Sequence, residues 1–189
     1  MKRLIVGISG ASGALYGVRL LQVLSALPAL ETHLVMSSAA QQTLTLETAY
    51  SLHEVQALAS AVHDPQDIAA SISSGAFKTL GMIILPCSIK TLSGIVNSYS
   101  DGLLTRAADV VLKERRRLVL GVRETPLHLG HLRLMTLAAE LGALIMPPVP
   151  AFYHKPAQIS ELIDQTINRV LDQFDLVLPK DLFQRWKDG

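Results

Sequence analysis

Short apolar runs alternate along the chain with longer stretches of helical spacing. Residues 4–9 are a β-rich apolar run ending at Gly10. Residues 14–27 then place Leu15, Val18, Leu21, Leu24 and Leu27 on one helical face, and Pro28 ends it. Residues 33–36 read as a second strand, and Ser37-Ser38 caps a helix reaching Leu46. The span 48–79 has weaker periodicity: 55–59 reads as helical and 71–75 as a loop. Residues 82–85 predict a buried strand stopped by Pro86, 88–96 a helix, and 97–102 a turn. Leu104, Ala107, Ala108, Val111 and Leu112 form a helical face ending near Arg116. Residues 118–122 and 143–146 are the fourth and fifth strands, and the helix between them, 129–141, is closed by Gly142. The last long helix covers 159–174, with Ile163, Ile167, Val170 and Leu171 on its apolar face.

Strands that read as unbroken apolar runs are buried on both faces. Alternating with helices, they predict an α/β protein with a three-layer Rossmann-like fold around a central parallel sheet. No linker, repeat or low-complexity segment interrupts it, so 1–189 reads as one domain. Ligands of such sheets bind at the carboxyl ends of the strands. The loops 9–14, 36–39, 86–91, 122–128 and 146–154 therefore carry the chemistry.

Composition narrows the class. The 189 residues are 49% hydrophobic and 17% charged, with a mean hydropathy of +0.33, which excludes a disordered chain. No apolar stretch approaches the roughly 20 residues of a membrane-spanning helix. The amino-terminal apolar run is shorter than the roughly 7–15 residues of a signal core. The reading is a soluble, cytoplasmic protein without a membrane span. A net charge of +1 leaves no overall basic footprint for nucleic acid. One cysteine excludes a disulfide framework or a multi-cysteine metal site. Few charges without a membrane span suggest surface buried against other copies.

Gly7-Ile8-Ser9-Gly10-Ala11-Ser12-Gly13 joins a strand to a helix, where backbone amides and the helix dipole favour an anion. Ile8 stands where a dinucleotide fingerprint has its first glycine, and Met36-Ser37-Ser38 offers no acid for a ribose. A mononucleotide or other phosphate ligand fits better, with Ser9, Ser12 and Ser37 adding hydroxyls; a tight turn without a ligand is the alternative. Ser88 caps the next helix, and Lys90 in its first turn opposes the dipole unless an anion is bound. Cys87 reads as a small buried residue. Arg123 suits a phosphate and Glu124 a proton transfer; a helix start with Pro126 in its first turn is the competing account for Glu124. His128 and His131 read as packing or capping residues. Lys113 sits in a cationic run that complements a helix end, and Arg169 reads as a snorkelling surface residue.

Several segments together resemble one family. Gly10-Ala11-Ser12-Gly13, Pro86-Cys87-Ser88-Ile89-Lys90-Thr91-Leu92-Ser93, the stretch 101–110, Lys113-Glu114-Arg115-Arg116, Arg123-Glu124-Thr125-Pro126, 146–153 and the 182–186 tail are similar to the flavin prenyltransferases of the UbiX/Pad type. That resemblance implies transfer of a dimethylallyl group from dimethylallyl phosphate to N5 and C6 of reduced FMN, without metal. It further implies a dodecamer, and a prenylated FMN product that serves a UbiD-type decarboxylase in ubiquinone synthesis. Carried over by resemblance, Gly10, Ala11, Ser12, Ser37, Ser88, Ile89, Lys90, Thr91 and Arg123 bind FMN. Lys113, Arg123, Tyr153 and Arg169 hold the substrate phosphate, and Tyr153 and Arg169 complete a neighbouring copy's site. Glu124, Ser12 and Glu47 are the catalytic residues. Arg117 and Gly121 depart from the family pattern and bear on stability. The alternatives are a flavin-dependent cysteine decarboxylase of the related family, which needs a catalytic His early in the chain, and a non-catalytic FMN-binding protein.

Overall fold

A computed structural model describes residues 1–187. Six strands form one parallel sheet: β1 (Lys2–Ile8), β2 (Leu30–Met36), β3 (Ala61–His63), β4 (Gly81–Cys87), β5 (Arg117–Val122) and β6 (Leu144–Ile145), in the order β3-β2-β1-β4-β5-β6. Strand order reverses between β1 and β4, the point at which open α/β sheets open a crevice. The helices are α1 (Ala14–Ser25), α2 (Ser38–Glu47), α3 (Leu52–Gln56), α4 (Ile89–Val96), α5 (Leu103–Lys113), α6 (Leu129–Glu140) and α7 (Ile159–Asp172).

Two apolar cores follow from side chains alternating across the sheet. Leu4, Val6 and Ile8 of β1 face α1 and α7, where Val18, Leu21, Ile167 and Val170 pack. Ile5 of β1 and Met82 and Ile84 of β4 face the other way, against Leu103, Leu104 and Ala107 of α5. The expected apolar faces of α1, α5 and α7 are the buried ones, save Leu15, which is exposed, and Leu27, past the end of α1, and Leu112, which are half-buried. The three-layer parallel fold is as expected from the sequence.

Five local expectations need correction. The helix expected at 55–59 begins earlier, as α3, because Ser51 and Glu54 form a capping box, and 57–59 are a turn. A sixth strand, β3, adds to the edge beyond β2; three residues are too few to show a period. Residues Ser71–Ser73 form a 3-10 turn rather than a plain loop. Pro86 does not stop its strand: β4 runs to Cys87, with a register shift between Ile84 and Cys87 against β5, and the Pro86 carbonyl accepts from the Ser9 amide on the β1 side. Pro126 is not in a helix's first turn, because α6 begins at Leu129 with His128 as its cap, accepting from the Gly130 and His131 amides. The two departures from the family pattern have structural partners. The Leu85 side chain fills the space beside Gly121, while Arg117 lies over the Phe174 ring and pairs with Asp175.

The β3 edge is held by imidazoles. His33 is 4% exposed, and its Nδ1 lies 2.9 Å from Nε2 of His63. Phe77 meets the His33 ring edge-on, and Glu31, itself paired with Arg3, lies 3.2 Å from Nε2. Burial pushes both imidazoles below their ordinary value of 6.5; Glu31 opposes this at His33, and at His63 the neighbouring His33 adds to it while Asp67 opposes it. The folded chain therefore binds fewer protons than the unfolded one as pH falls below about 6.5, so acid destabilises it. We expect the fall in melting temperature from pH 7 to pH 5 to be smaller in His63→Gln than in the parent protein, measured by thermal denaturation. Equal acid slopes would count against a role for this pair.

Candidate active site

The carboxyl ends of the four central strands are tied to one another before any ligand is considered. Ser9, just past β1, is 1% exposed. Its hydroxyl donates to the Pro86 carbonyl at 2.8 Å and accepts from the Ser88 amide at 2.7 Å. On one side the Ser37 amide donates to the Ile8 carbonyl at 3.0 Å; on the other the Arg123 amide donates to the Cys87 carbonyl at 2.9 Å. Ser9 is thus consumed by the scaffold and is not the ligand donor expected of it. Cys87 is buried, and burial pushes its thiol up to about 12, so it packs as expected rather than acting as a nucleophile.

Beyond these ties lies a cleft of about 1130 Å³, lined by Gly10, Ser37–Ala39, Ser88, Lys90, Thr91, Gly94 and Asn97 among others. It exceeds the roughly 300–1,000 Å³ of ordinary small-ligand sites, leaving room for a mononucleotide. Two helices begin at its wall. Ser37 caps α2, accepting from the Ala40 amide at 3.1 Å, and Ser88 caps α4, accepting from the Thr91 amide at 3.2 Å. Each cap satisfies one of the four orphan amides at a helix start, so first-turn N–H groups remain for an anion. The backbone at Gly10 comes so close to Ala39 that a side chain there would collide with it. Gly10, Ser37, Ser88, Lys90 and Thr91 are therefore gathered around one space, while Ile89 between them packs against the core.

The start of α1 serves differently from expectation. Gly13, at φ +102°, turns the chain into the helix, and the anion there belongs to the protein itself. The Glu47 carboxylate accepts from the Gly13 amide at 2.7 Å and the Ala14 amide at 3.0 Å. Partial desolvation pushes Glu47 up, but the Ser12 hydroxyl, the two amides and the Arg123 charge outweigh it and leave the carboxyl below its ordinary value. Glu47, Ser12 and Arg123 thus form one polar group. Glu124 follows Arg123, exposed, with Oε1 accepting from the Thr125 amide at 3.0 Å. Lys90 also has a protein counterion, Asp101 at 3.0 Å on the cleft wall, so a bound anion is not needed to account for it.

The remaining expected phosphate ligands are not brought to this group within one chain. Lys113 ends α5 beside Glu114, at 2.6 Å, near Gly75. It lies by the amino-terminal edge of the sheet, about 20 Å along β5 from Arg123 by strand rise. Tyr153 follows β6, and Trp186 meets its ring edge-on at 5.1 Å. Arg169 on α7 pairs with Asp172 at 2.9 Å, and Asp172 also bonds Arg185 of the carboxyl-terminal segment. Sequence reasoning missed Pro65, Gln66 and Tyr99, which also line the cleft. Pro65 and Gln66 follow the short edge strand, and no local signal marks them; Tyr99 lies in the stretch read only as a turn. Among the described residues no group of three or more His, Cys, Asp or Glu could hold a metal ion, and no helix is long and apolar enough to cross a membrane.

Comparison with known proteins adds to this geometry. The family model described as Flavoprotein matches residues 1–170. The flavin prenyltransferase UbiX of Escherichia coli K12 is 77% identical over 187 residues, covering 99% of each chain. The structure of AnUbiX (PadA1) in complex with FMN and dimethylallyl pyrophosphate superposes with a TM-score of 0.94 at 50% identity, covering 100% of this chain and 98% of that one. A dodecameric FMN-dependent UbiX-like decarboxylase from Escherichia coli O157:H7 gives 0.95 at 52% identity, covering 98% and 99%.

The Ser9 tie makes a prediction of its own. Ser9→Ala removes the acceptor of the Ser88 amide and the buried donor to the Pro86 carbonyl. The variant should be destabilised by about 1–3 kcal/mol in denaturant unfolding. A change below about 0.5 kcal/mol would show that the strand ends hold without it.

Proposed function

The chain belongs to the flavoprotein family and, within it, to the flavin prenyltransferases of the UbiX type, and from that membership we propose that it joins a dimethylallyl group from dimethylallyl phosphate to N5 and C6 of reduced FMN. The observation that carries the reading is the cleft at the carboxyl ends of β1, β2 and β4, walled by Gly10, Ser37 and Ser88, with the polar group of Ser12, Glu47 and Arg123 at the same end of the sheet and Glu124 next to Arg123 in the chain. The residues suit a flavin mononucleotide: two helix starts with serine caps, a glycine without room for a side chain, and Arg123. Gly10, Ala11, Ser12, Ser37, Ser88, Ile89, Lys90, Thr91 and Arg123 are assigned to it. Reduced FMN supplies the nucleophilic atoms when bound.

The chain's own groups do the rest. Arg123 offers planar paired donors to a phosphate oxygen. Glu124, exposed beside it, is assigned proton movement at the flavin. Glu47, fixed by two amides, keeps a carboxylate against the Ser12 hydroxyl and orients it. A phosphate leaving group held by Arg123, Lys113, Tyr153 and Arg169 has its charge met by side chains, so no metal enters the proposed reaction. The alternative cysteine decarboxylase requires a catalytic His early in the chain. The earliest here, His33, is buried and engaged with His63.

Assembly completes the site in this reading. Lys113 lies at the far edge of the sheet, and Tyr153 and Arg169 in a patch of their own, so each serves a site formed with other copies. The surface offered for this is α6 and its surroundings: Leu129, Leu132, Leu137 and Leu141 are exposed, as are Val149, Phe152 and Ile159. We assign a dodecamer, residues 1–189 as one flavin-binding domain, the cytoplasm as its location, and a UbiD-type decarboxylase as the recipient of the product.

Purified protein mixed with reduced FMN and dimethylallyl phosphate should give a flavin heavier by one dimethylallyl unit in mass spectrometry, at an unchanged rate in EDTA. Unmodified FMN would sink the reading, and a rate lost in EDTA would sink its metal-free form. Glu124→Gln should bind FMN normally and turn over roughly 10²–10⁴-fold more slowly; full activity would remove Glu124 from the mechanism. Leu132→Arg should lower the assembly mass in light scattering and abolish turnover. A dodecamer of undiminished activity would move the interface elsewhere.

A further inference from the structure

Asp172 sits between two arginines of different standing. Its Oδ2 accepts from Nη1 of Arg169 and from Nη1 of Arg185, each at 2.9 Å, and its Oδ1 accepts from Nη2 of Arg185 at 2.8 Å. Arg185 also donates to Asp181 through Nε at 2.6 Å and Nη2 at 2.8 Å. Most of its five N–H donors are thereby in bonds, and its charge faces two carboxylates. Arg169 reaches Asp172 through Nη1 alone and is about half exposed. Among the described residues its guanidinium has no other partner, so its remaining donors are free for an anion.

An isolated pair three residues apart on a helix surface does little. This pair belongs to a network. The Asp172 side chain is 21% exposed and held on both oxygens by Arg185. The segment carrying Arg185 is anchored independently: the Leu182 amide donates to Asn168 Oδ1 at 2.8 Å, Phe183 is buried, and Trp186 abuts Tyr153. The carboxylate that aims Arg169 is thus itself fixed by the chain's end.

We propose that Asp172 is a positioning residue for the prenyl phosphate: held by Arg185, it fixes the Arg169 guanidinium with its free donors turned to the phosphate oxygens. The proposal rests on the reading that Arg169 binds the prenyl phosphate. It has a sign that a mere electrostatic neighbour would not share. Removing a carboxylate near an anion site strengthens the site's attraction for anions; removing a positioning group weakens binding.

The test is a double-mutant cycle on the assembled enzyme with reduced FMN and dimethylallyl phosphate. Asp172→Asn should raise KM for the prenyl donor roughly 3–10-fold, leave kcat and FMN affinity within about twofold, and lose most of its effect in an Arg169→Ala background. Trp186, the one tryptophan of the sequence, should show lower fluorescence anisotropy in Asp172→Asn as its segment loosens. If Asp172→Asn does not fold, Arg185→Gln frees the same carboxylate and should raise KM in the same Arg169-dependent way. A lowered KM, or an equal rise with and without Arg169, overturns the proposal. An unchanged KM in Arg169→Ala alone overturns the underlying assignment of Arg169 instead.

Discussion

A single buried hydroxyl sets the geometry on which the site depends. The two central strands end side by side, but β4 carries Pro86 and lacks one ladder amide there. Ser9 ties the two strands beyond that gap: its hydroxyl donates to the Pro86 carbonyl and accepts from the Ser88 amide. That bond sets where Ser88 stands, and Ser88 sets where α4 begins. The Ser37 amide on Ile8 and the Arg123 amide on Cys87 extend the same stitching outward in both directions. The cap of α2 and the backbone that presents Arg123 are therefore placed by main-chain bonds, and the cap of α4 by one buried hydroxyl, rather than by long flexible side chains. A site built this way pays little entropy to take its shape when a ligand arrives.

The Glu47 carboxylate shows how the same scaffold separates binding from chemistry. Of the helix starts at this edge, those of α2 and α4 keep orphan amides at the cleft wall, and that of α1 is closed by Glu47. On the proposed reading an anionic ligand is thereby steered away from α1 and toward the other two. Glu47 in turn is kept ionised by the Ser12 hydroxyl, the amides and the Arg123 charge, against the pull of its own partial burial. One internal ion both occupies the α1 amides and stands beside the Ser12 hydroxyl.

Much of this was legible in the sequence. Apolar runs gave the parallel sheet because doubly buried strands leave no alternation to misread. Serines before helical runs gave the caps at Ser37 and Ser88. The failures are physical too. Ala61–His63 is too short to carry a period, so the cleft wall at Pro65 and Gln66 went unseen. Pro86 reads as a strand end because a proline removes a ladder bond, and only the register shift against β5 shows how the strand continues. Ser9 looked like a ligand donor, since nothing local distinguishes a hydroxyl aimed at solvent from one aimed at a carbonyl 77 residues away. Glu47 entered only by resemblance; no spacing rule connects a residue at a helix end to amides more than thirty positions earlier.

The distribution of cations has its own logic. A phosphate leaving group needs several positive charges around it, and several arginines and lysines packed in one empty pocket would repel one another. In this chain they are kept apart and individually compensated: Arg123 near Glu47, Lys113 against Glu114, Arg169 on Asp172. Each has its counter-charge within the chain. On the proposed reading, assembly through the apolar surface of α6 then does the electrostatic work of convergence. The favourable burial of leucines offsets the cost of bringing like charges near one another. The low charge density of the sequence and the scattered position of its phosphate ligands are, in that reading, two sides of one constraint: the site is too positive to be built within a single chain, so it is built between chains.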